Sequence, residues 1–168
     1  MRHIVRKSFM LAGICLLGAS GCSGIHHQGS NNFNDAAALS GSLPYNPLQW
    51  SVVTSAVSRS DATVYTVFGN GEAVGFARSS SEGNYPVGSI VSLVTWTQRP
   101  SPRWFGGMIP GAIRSVEFAS VLSGDDHRPI YLYEEYQGSP LKVVTSQRQT
   151  IPAGRLAYLL AQRGALMP

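Results

Sequence analysis

From Leu48 onward the apolar residues fall in short runs rich in β-branched and aromatic side chains, each bounded by Gly, Pro, Asp or Ser. Branched side chains pack well on a pleated surface, and the bounding residues suit turns, so runs of this kind read as strands. The pattern predicts strands over Gln49–Ser58, Thr63–Gly69, Ser89–Gln98, Ile113–Ser123, Pro129–Tyr136 and, more weakly patterned, Leu141–Ser146. In Thr63–Phe68 both alternating faces are largely apolar, which marks a central strand. In Ile113–Leu122, Val116, Phe118 and Leu122 share one side while Ser115 and Glu117 lie on the other, so this second face is expected to meet water at one end.

Two segments have helical spacing instead. Gly71–Arg78 is one, weakened internally by Gly75. The other runs from about Pro152 to Arg163, with Pro152 suited to a first turn, Gly164 to a stop, and Leu156, Leu159 and Leu160 forming a stripe that should dock on a sheet. The fold class is α+β, mainly β: one domain over 48–168, with about five or six strands and two short helices. No internal repeat is present. Ahead of it, Ser23–Pro47 is rich in Gly, Ser, Asn and Pro and reads as a flexible tether, with Ala36–Leu39 as a nascent helical turn. His26 and His27 lie in this segment and read as solvated rather than metal-binding.

The first 21 residues read as an export signal. Three basic residues, Arg2, Arg6 and Lys7, precede the uncharged, mostly apolar run Ser8–Leu17, which ends in small residues. That run is far below the roughly 20 apolar residues a bilayer-spanning helix needs, and no later segment approaches that length. Ala19-Ser20-Gly21-Cys22 resembles the lipobox of bacterial lipoproteins, in which the cysteine is acylated and becomes the new N-terminus. Leu is commoner where Ala19 stands, and ordinary secretory cleavage also accepts Ala-x-Gly. Cys15 leaves with the signal, so Cys22 would be the only thiol of an exported chain, unable to form an internal disulfide. The expected location is the bacterial cell envelope, with the membrane partner engaged through lipid on Cys22. Ser23 after the cysteine resembles the sorting pattern of outer-membrane lipoproteins.

This reading changes the meaning of the charge. The 168-residue chain carries 13 Lys+Arg against 9 Asp+Glu, a net +4 that would suit nucleic acid. Removal of residues 1–21 takes away three basic residues and no acidic one, leaving about +1. Nucleic-acid binding loses its support.

Chemistry-bearing residues are sparse. His127 is the only histidine after the tether and no cysteine follows Cys22, so the domain cannot build a Cys-His dyad or a thiolate metal site. No catalytic or metal-ligating set is assigned. Adjacent strand residues Glu134 and Glu135 point to opposite faces and are not a facing carboxylate pair. Gly69-Asn70-Gly71 lacks the Gly-Lys-Ser/Thr of a phosphate loop and reads as a strand-to-helix turn. Aromatic residues are the candidate lining of a ligand pocket: Trp96, Trp104, Phe105, Phe118, Tyr131 and Tyr133, with His127. The loop carrying Trp104-Phe105-Gly106-Gly107, between Pro102 and Pro110, is the place to look first.

The order of several short motifs resembles the cytochrome P-460 domain, especially its exported and lipoprotein members. They are Trp50 with Val52 and Val53, Arg59 before Asp61, and Val67-Phe68-Gly69-Asn70 leading to Ala73 and Ala77-Arg78. Tyr85-Pro86-x-Gly88-Ser89-Ile90-Val91 then runs into Trp96, and Pro110-Gly111 precedes Val116-Glu117-Phe118. The likeness covers Gln49 to Tyr136. It implies a curved antiparallel sheet with short helices, which in the family's cytochromes houses a haem for hydroxylamine or nitric oxide chemistry. Those proteins attach haem through a C-terminal Cys-x-x-Cys-His, absent here, and Lys142, the sole lysine after the signal, lies outside the loop where a crosslinking lysine belongs. With no thiol after Cys22 to add across a vinyl group, covalent c-type haem is excluded.

Two functions follow as expectations. The first is an envelope lipoprotein that binds a small ligand or a protein partner, or acts structurally, without a cofactor and without catalysis. The second is a non-covalent haem enzyme or sensor, with His127 or Tyr131 as axial ligand.

Overall fold

A computed structural model describes residues 34–79, 83–125 and 128–164. Six antiparallel strands form one unclosed sheet in sequential order: β1 (Ser51–Ser58), β2 (Thr63–Gly69), β3 (Ile90–Pro100), β4 (Met108–Ser123), β5 (Pro129–Gln137) and β6 (Lys142–Gln149). Helix α1 (Gly71–Arg78) lies between β2 and β3, and α2 (Gly154–Leu160) follows β6. The mainly β reading is therefore correct, and the six runs of branched and aromatic residues are the six strands.

Side-chain alternation gives the sheet two faces, and both are apolar. On the first, Val67, Val91, Leu93, Ala119, Val121, Tyr131 and Tyr133 pack with Ala73, Val74 and Ala77 of α1 and Leu156 and Leu159 of α2. Asn70 starts α1 by accepting a hydrogen bond from the Ala73 amide at 3.0 Å. The same side chain accepts from the Ile90 amide and donates to the Gly88 carbonyl, joining the helix cap to the entry of β3. Before it stands Gly69, where a Cβ would lie 3.0 Å from Ala73 Cβ, so glycine lets the helix turn back tightly onto β2. The strand-to-helix reading of Gly69-Asn70-Gly71 holds.

The second face carries Phe68, Val94, Trp96, Val116, Phe118, Tyr136 and Leu141. Its cover is the segment 34–50, most of which composition assigns to the tether. Ala37, Leu39, Leu43 and Trp50 pack on it, and the Trp96 indole Nε1 donates to the Ala37 carbonyl at 2.9 Å. Tyr45 and Trp50 meet Phe118 at centroid distances of 5.8 and 6.3 Å in edge-on contacts. The Leu141 amide donates to the Ser40 carbonyl, and Gly41 pairs with Leu141. Residues 34–47 are thus a strap rather than a free linker. A sheet apolar on both sides must exclude water from both, and few apolar residues suffice when backbone groups and aromatic rings do the rest.

Three elements differ in extent from the pattern. Strand β4 begins at Met108 because pairing with β3 continues to Pro100 through register shifts around Trp96, despite Pro110 and Gly111. Strand β6 reaches Gln149 as an exposed edge. Helix α2 starts at Gly154, whose φ of 55° sets the chain's turn into it, so Pro152 precedes the helix. The segment after α2 locks against α1 and the stretch that follows it: the Tyr85 hydroxyl donates to the Gln162 carbonyl at 2.6 Å, and the Arg163 guanidinium lies 5.0 and 5.2 Å from the Phe76 and Tyr85 rings.

Candidate functional site

The two helices cover only part of the first face. Beyond Leu93, toward the turns that join β1 to β2 and β3 to β4, the inward positions become polar. Successive cross-strand partners are Tyr65, Thr95, Ser115 and Gln137 in one row and Val67, Leu93, Glu117 and Glu135 in the next. Over this floor opens a cleft of about 900 Å³, walled by Ser58, Asp61 and Thr63 on one side, Arg114 on β4, and Arg155 and Tyr158 from α2.

Its floor is organised around Glu117, which is only 3% exposed. Arg155 Nε donates to Glu117 Oε2 and its Nη2 to Oε1, both at 2.7 Å, a two-pronged charge-assisted contact. The Tyr133 hydroxyl donates to Glu117 Oε2 at 2.8 Å and lies 3.5 Å from Glu135 Oε2. Glu135 itself accepts from Gln137 Nε2 at 2.6 Å. Glu117 and Glu135 are directly opposed across β4 and β5. Two like charges at such a position repel, and Arg155 offsets that repulsion from above.

Proton affinities follow from this arrangement. Burial, then the hydrogen bond to Glu117, then the negative charges of Glu117 and Glu135 push the Tyr133 phenol far above its ordinary range. The hydrogen bonds to Glu117 hold Arg155 still more firmly protonated. Tyr158 donates to the Tyr65 hydroxyl at 3.3 Å, and that contact, with burial, raises the Tyr158 phenol. All three side chains are therefore fixed in one protonation state at neutral pH. Because both Glu117 oxygens are already taken, this carboxylate is a building element and not a free general acid or base. The Arg114 side chain has no hydrogen-bond or ion-pair partner among the described residues and is exposed at the cleft wall.

Of the aromatic residues read as pocket lining, Tyr133 lines the cleft, and the other five lie elsewhere. Trp96 and Phe118 are core residues of the second face, and Tyr131 is buried on the first under the helices. Trp104 and Phe105 stand at the tip of the β3–β4 hairpin, pointing to solvent instead of roofing a pocket. None of the five lines the cleft. His127 and Cys22 lie outside the described residues, as do His26 and His27.

What sequence reasoning missed was the cross-strand partnership. Glu134 and Glu135 do face opposite ways, yet Glu135 faces Glu117, and the alternation of Ser115 and Glu117 against Val116 and Phe118 was the available signal. Arg155 gave none, since its place depends on how α2 docks. Among the described residues, no group of three or more His, Cys, Asp or Glu is placed to hold a metal ion, and no described helix is long and apolar enough to cross a membrane. No protein-family model matches the chain, and no curated protein matches it.

Proposed function

We propose that the chain is a lipid-anchored binding module of a bacterial envelope, held through Cys22, whose cleft takes a small, polar, hydroxyl- or amide-bearing ligand. The observation that carries the reading is the cleft's lining. Hydroxyls, an amide, carboxylates and two guanidiniums converge on one uncovered end of an otherwise apolar face, and the ion pair at its floor is prearranged. Tyr65 and Tyr158 supply ring surface, while Arg114 and the exposed half of Arg155 offer donors with capacity to spare. Asp61, Glu117 and Glu135 nearly balance the two arginines, which favours a neutral or zwitterionic ligand over a multiply charged one.

Haem, the group implied by the cytochrome P-460 resemblance, does not fit this cleft. Its wide apolar ring would lie against carboxylates and arginines, and the described lining holds no imidazole or thiol. The Tyr133 phenol, committed to Glu117, resists the deprotonation that an iron-ligating tyrosinate requires. The scaffold likeness is retained as part of the proposal, without its cofactor.

Ligand-observed NMR of the chain against neutral mono- and disaccharides, amino sugars and short zwitterionic peptides tests the reading, with hemin as a separate arm. Saturable binding that weakens at least tenfold in Arg114→Ala is the expected result. Uptake of stoichiometric hemin with a Soret band, or silence across the whole panel, would overturn it. The anchor is tested separately by mass spectrometry of the membrane fraction, where an unmodified Cys22 thiol would remove it.

A further inference from the structure

We infer that the tip of the β3–β4 hairpin is a second membrane contact, a preformed aromatic wedge that enters the lipid headgroup layer and turns the cleft end of the sheet toward the bilayer. The inference rests in part on the anchor reading just given and adds a separate surface to it.

The tip is an ordered turn with nothing of its own to bury. The Ser101 amide donates to the Gly107 carbonyl at 2.8 Å and the Gly107 amide to the Trp104 carbonyl at 3.0 Å. Gly106, at φ 73°, takes the left-handed conformation the turn needs. On this frame Trp104 is 75% exposed, Phe105 is fully exposed and Met108 is more than half exposed. Two large aromatic side chains at a projecting tip form an apolar surface with no internal partner. Trp favours the water–lipid boundary, where its ring meets hydrocarbon and its N–H meets headgroups.

Charge points the same way. Between Glu82 and Glu117 the sequence has no acidic residue, while Arg99, Arg103 and Arg114 fall in that interval. The Arg103 guanidinium, within the turn, has no hydrogen-bond or ion-pair partner among the described residues, and the residue is exposed. The Arg103 guanidinium beside the aromatic tip complements anionic headgroups.

The position of the anchor supplies the third argument. The first described residue, Asn34, is clasped to the stem of this hairpin: its Nδ2 donates to the Pro110 carbonyl at 2.6 Å, and Arg99 Nη2 donates to its Oδ1 at 2.8 Å. Cys22 precedes Asn34 by twelve residues, which span at most about 40 Å when fully extended. A lipid on Cys22 therefore keeps the wedge within reach of the surface. Thr95 of the cleft floor precedes the tip on β3 and its partner Ser115 follows it on β4, so a docked tip brings the cleft near the headgroups.

The test uses the native protein purified from membranes and reconstituted into phosphatidylcholine–phosphatidylglycerol vesicles carrying brominated acyl chains. Emission from Trp104, taken as the difference between the native protein and Trp104→Ser, should be quenched. The Cys22→Ser chain and the same chain with Trp104→Ser and Phe105→Ser are compared by flotation on those vesicles, and loss of the two aromatics should weaken binding roughly tenfold or more. A vesicle-bound native protein whose Trp104 stays unquenched overturns the wedge and leaves the anchor standing. Quenched Trp104 in a native protein that carries no lipid overturns the anchor and leaves the wedge. Equal flotation of the two Cys22→Ser chains also overturns the wedge.

Discussion

One face of this sheet is two surfaces built on the same strands. At the end nearer Ile90, Val67, Val91, Ala119 and Val121 meet the leucines and alanines of the helices, and cohesion comes from filled volume. A few residues along, the same strands present Tyr65, Thr95, Ser115, Glu117 and Glu135, and cohesion comes from directed bonds to Arg155 and Tyr133. Apolar packing tolerates no opening, because every void forfeits contacts on all sides. A polar floor can stay open, since water or a ligand completes whatever bonds the protein leaves unmade. The same face thereby provides both the core and the cleft.

The largest effect that would separate the two ends lies in the apolar one. Leu159→Ala removes a fully buried side chain and should cost about 2–5 kcal/mol in urea unfolding, whereas Thr95→Ala in the cleft should stay within about 0.5 kcal/mol. Equal costs would mean that the cleft is packed as tightly as the core. Next comes Arg155→Met, which leaves Glu117 buried opposite Glu135 without a counter-charge. Breaking a fully buried pair costs about 3–5 kcal/mol. Because Arg155 is half exposed and water screens it, about 2 kcal/mol is expected. Adding Glu117→Gln should recover part of that loss, and strict additivity of the two changes would refute the coupling.

The smallest effect is a pH dependence. The Tyr133 phenol titrates near 10 when unfolded and well above that when folded. The unfolded chain thus loses this proton first as pH rises, so the proton's contribution is intact below about pH 10 and declines above it. Tyr133→Phe should cost about 1 kcal/mol at pH 7 and flatten the alkaline loss by about 1.4 kcal/mol per pH unit. Tyr85, Tyr136 and Tyr158 are also raised and will keep a residual slope. An unchanged slope in the variant would show that folding does not raise this phenol through burial and its bond to Glu117.

Much of this architecture is local in origin. Period-two alternation and turn residues mark the strands, and the run Gly71–Arg78 coincides with α1, because side-chain direction within an element depends on the backbone alone. The alternation of β4 likewise separates Glu117 from Phe118 without any knowledge of neighbours. The cleft is not local. It requires Glu135 to arrive opposite Glu117, which depends on the continuous register between β4 and β5 set by the turn that joins them. It requires Arg155 to descend onto that pair, which depends on how Leu156 and Leu159 seat α2. Composition marks 34–47 as linker because it counts the few apolar residues there and not the exposed apolar face awaiting them. Pattern along the chain decides which way each side chain points. Only the assembled sheet decides what it meets, because partners across strands are brought together by long-range pairing and by the need of both faces to exclude water.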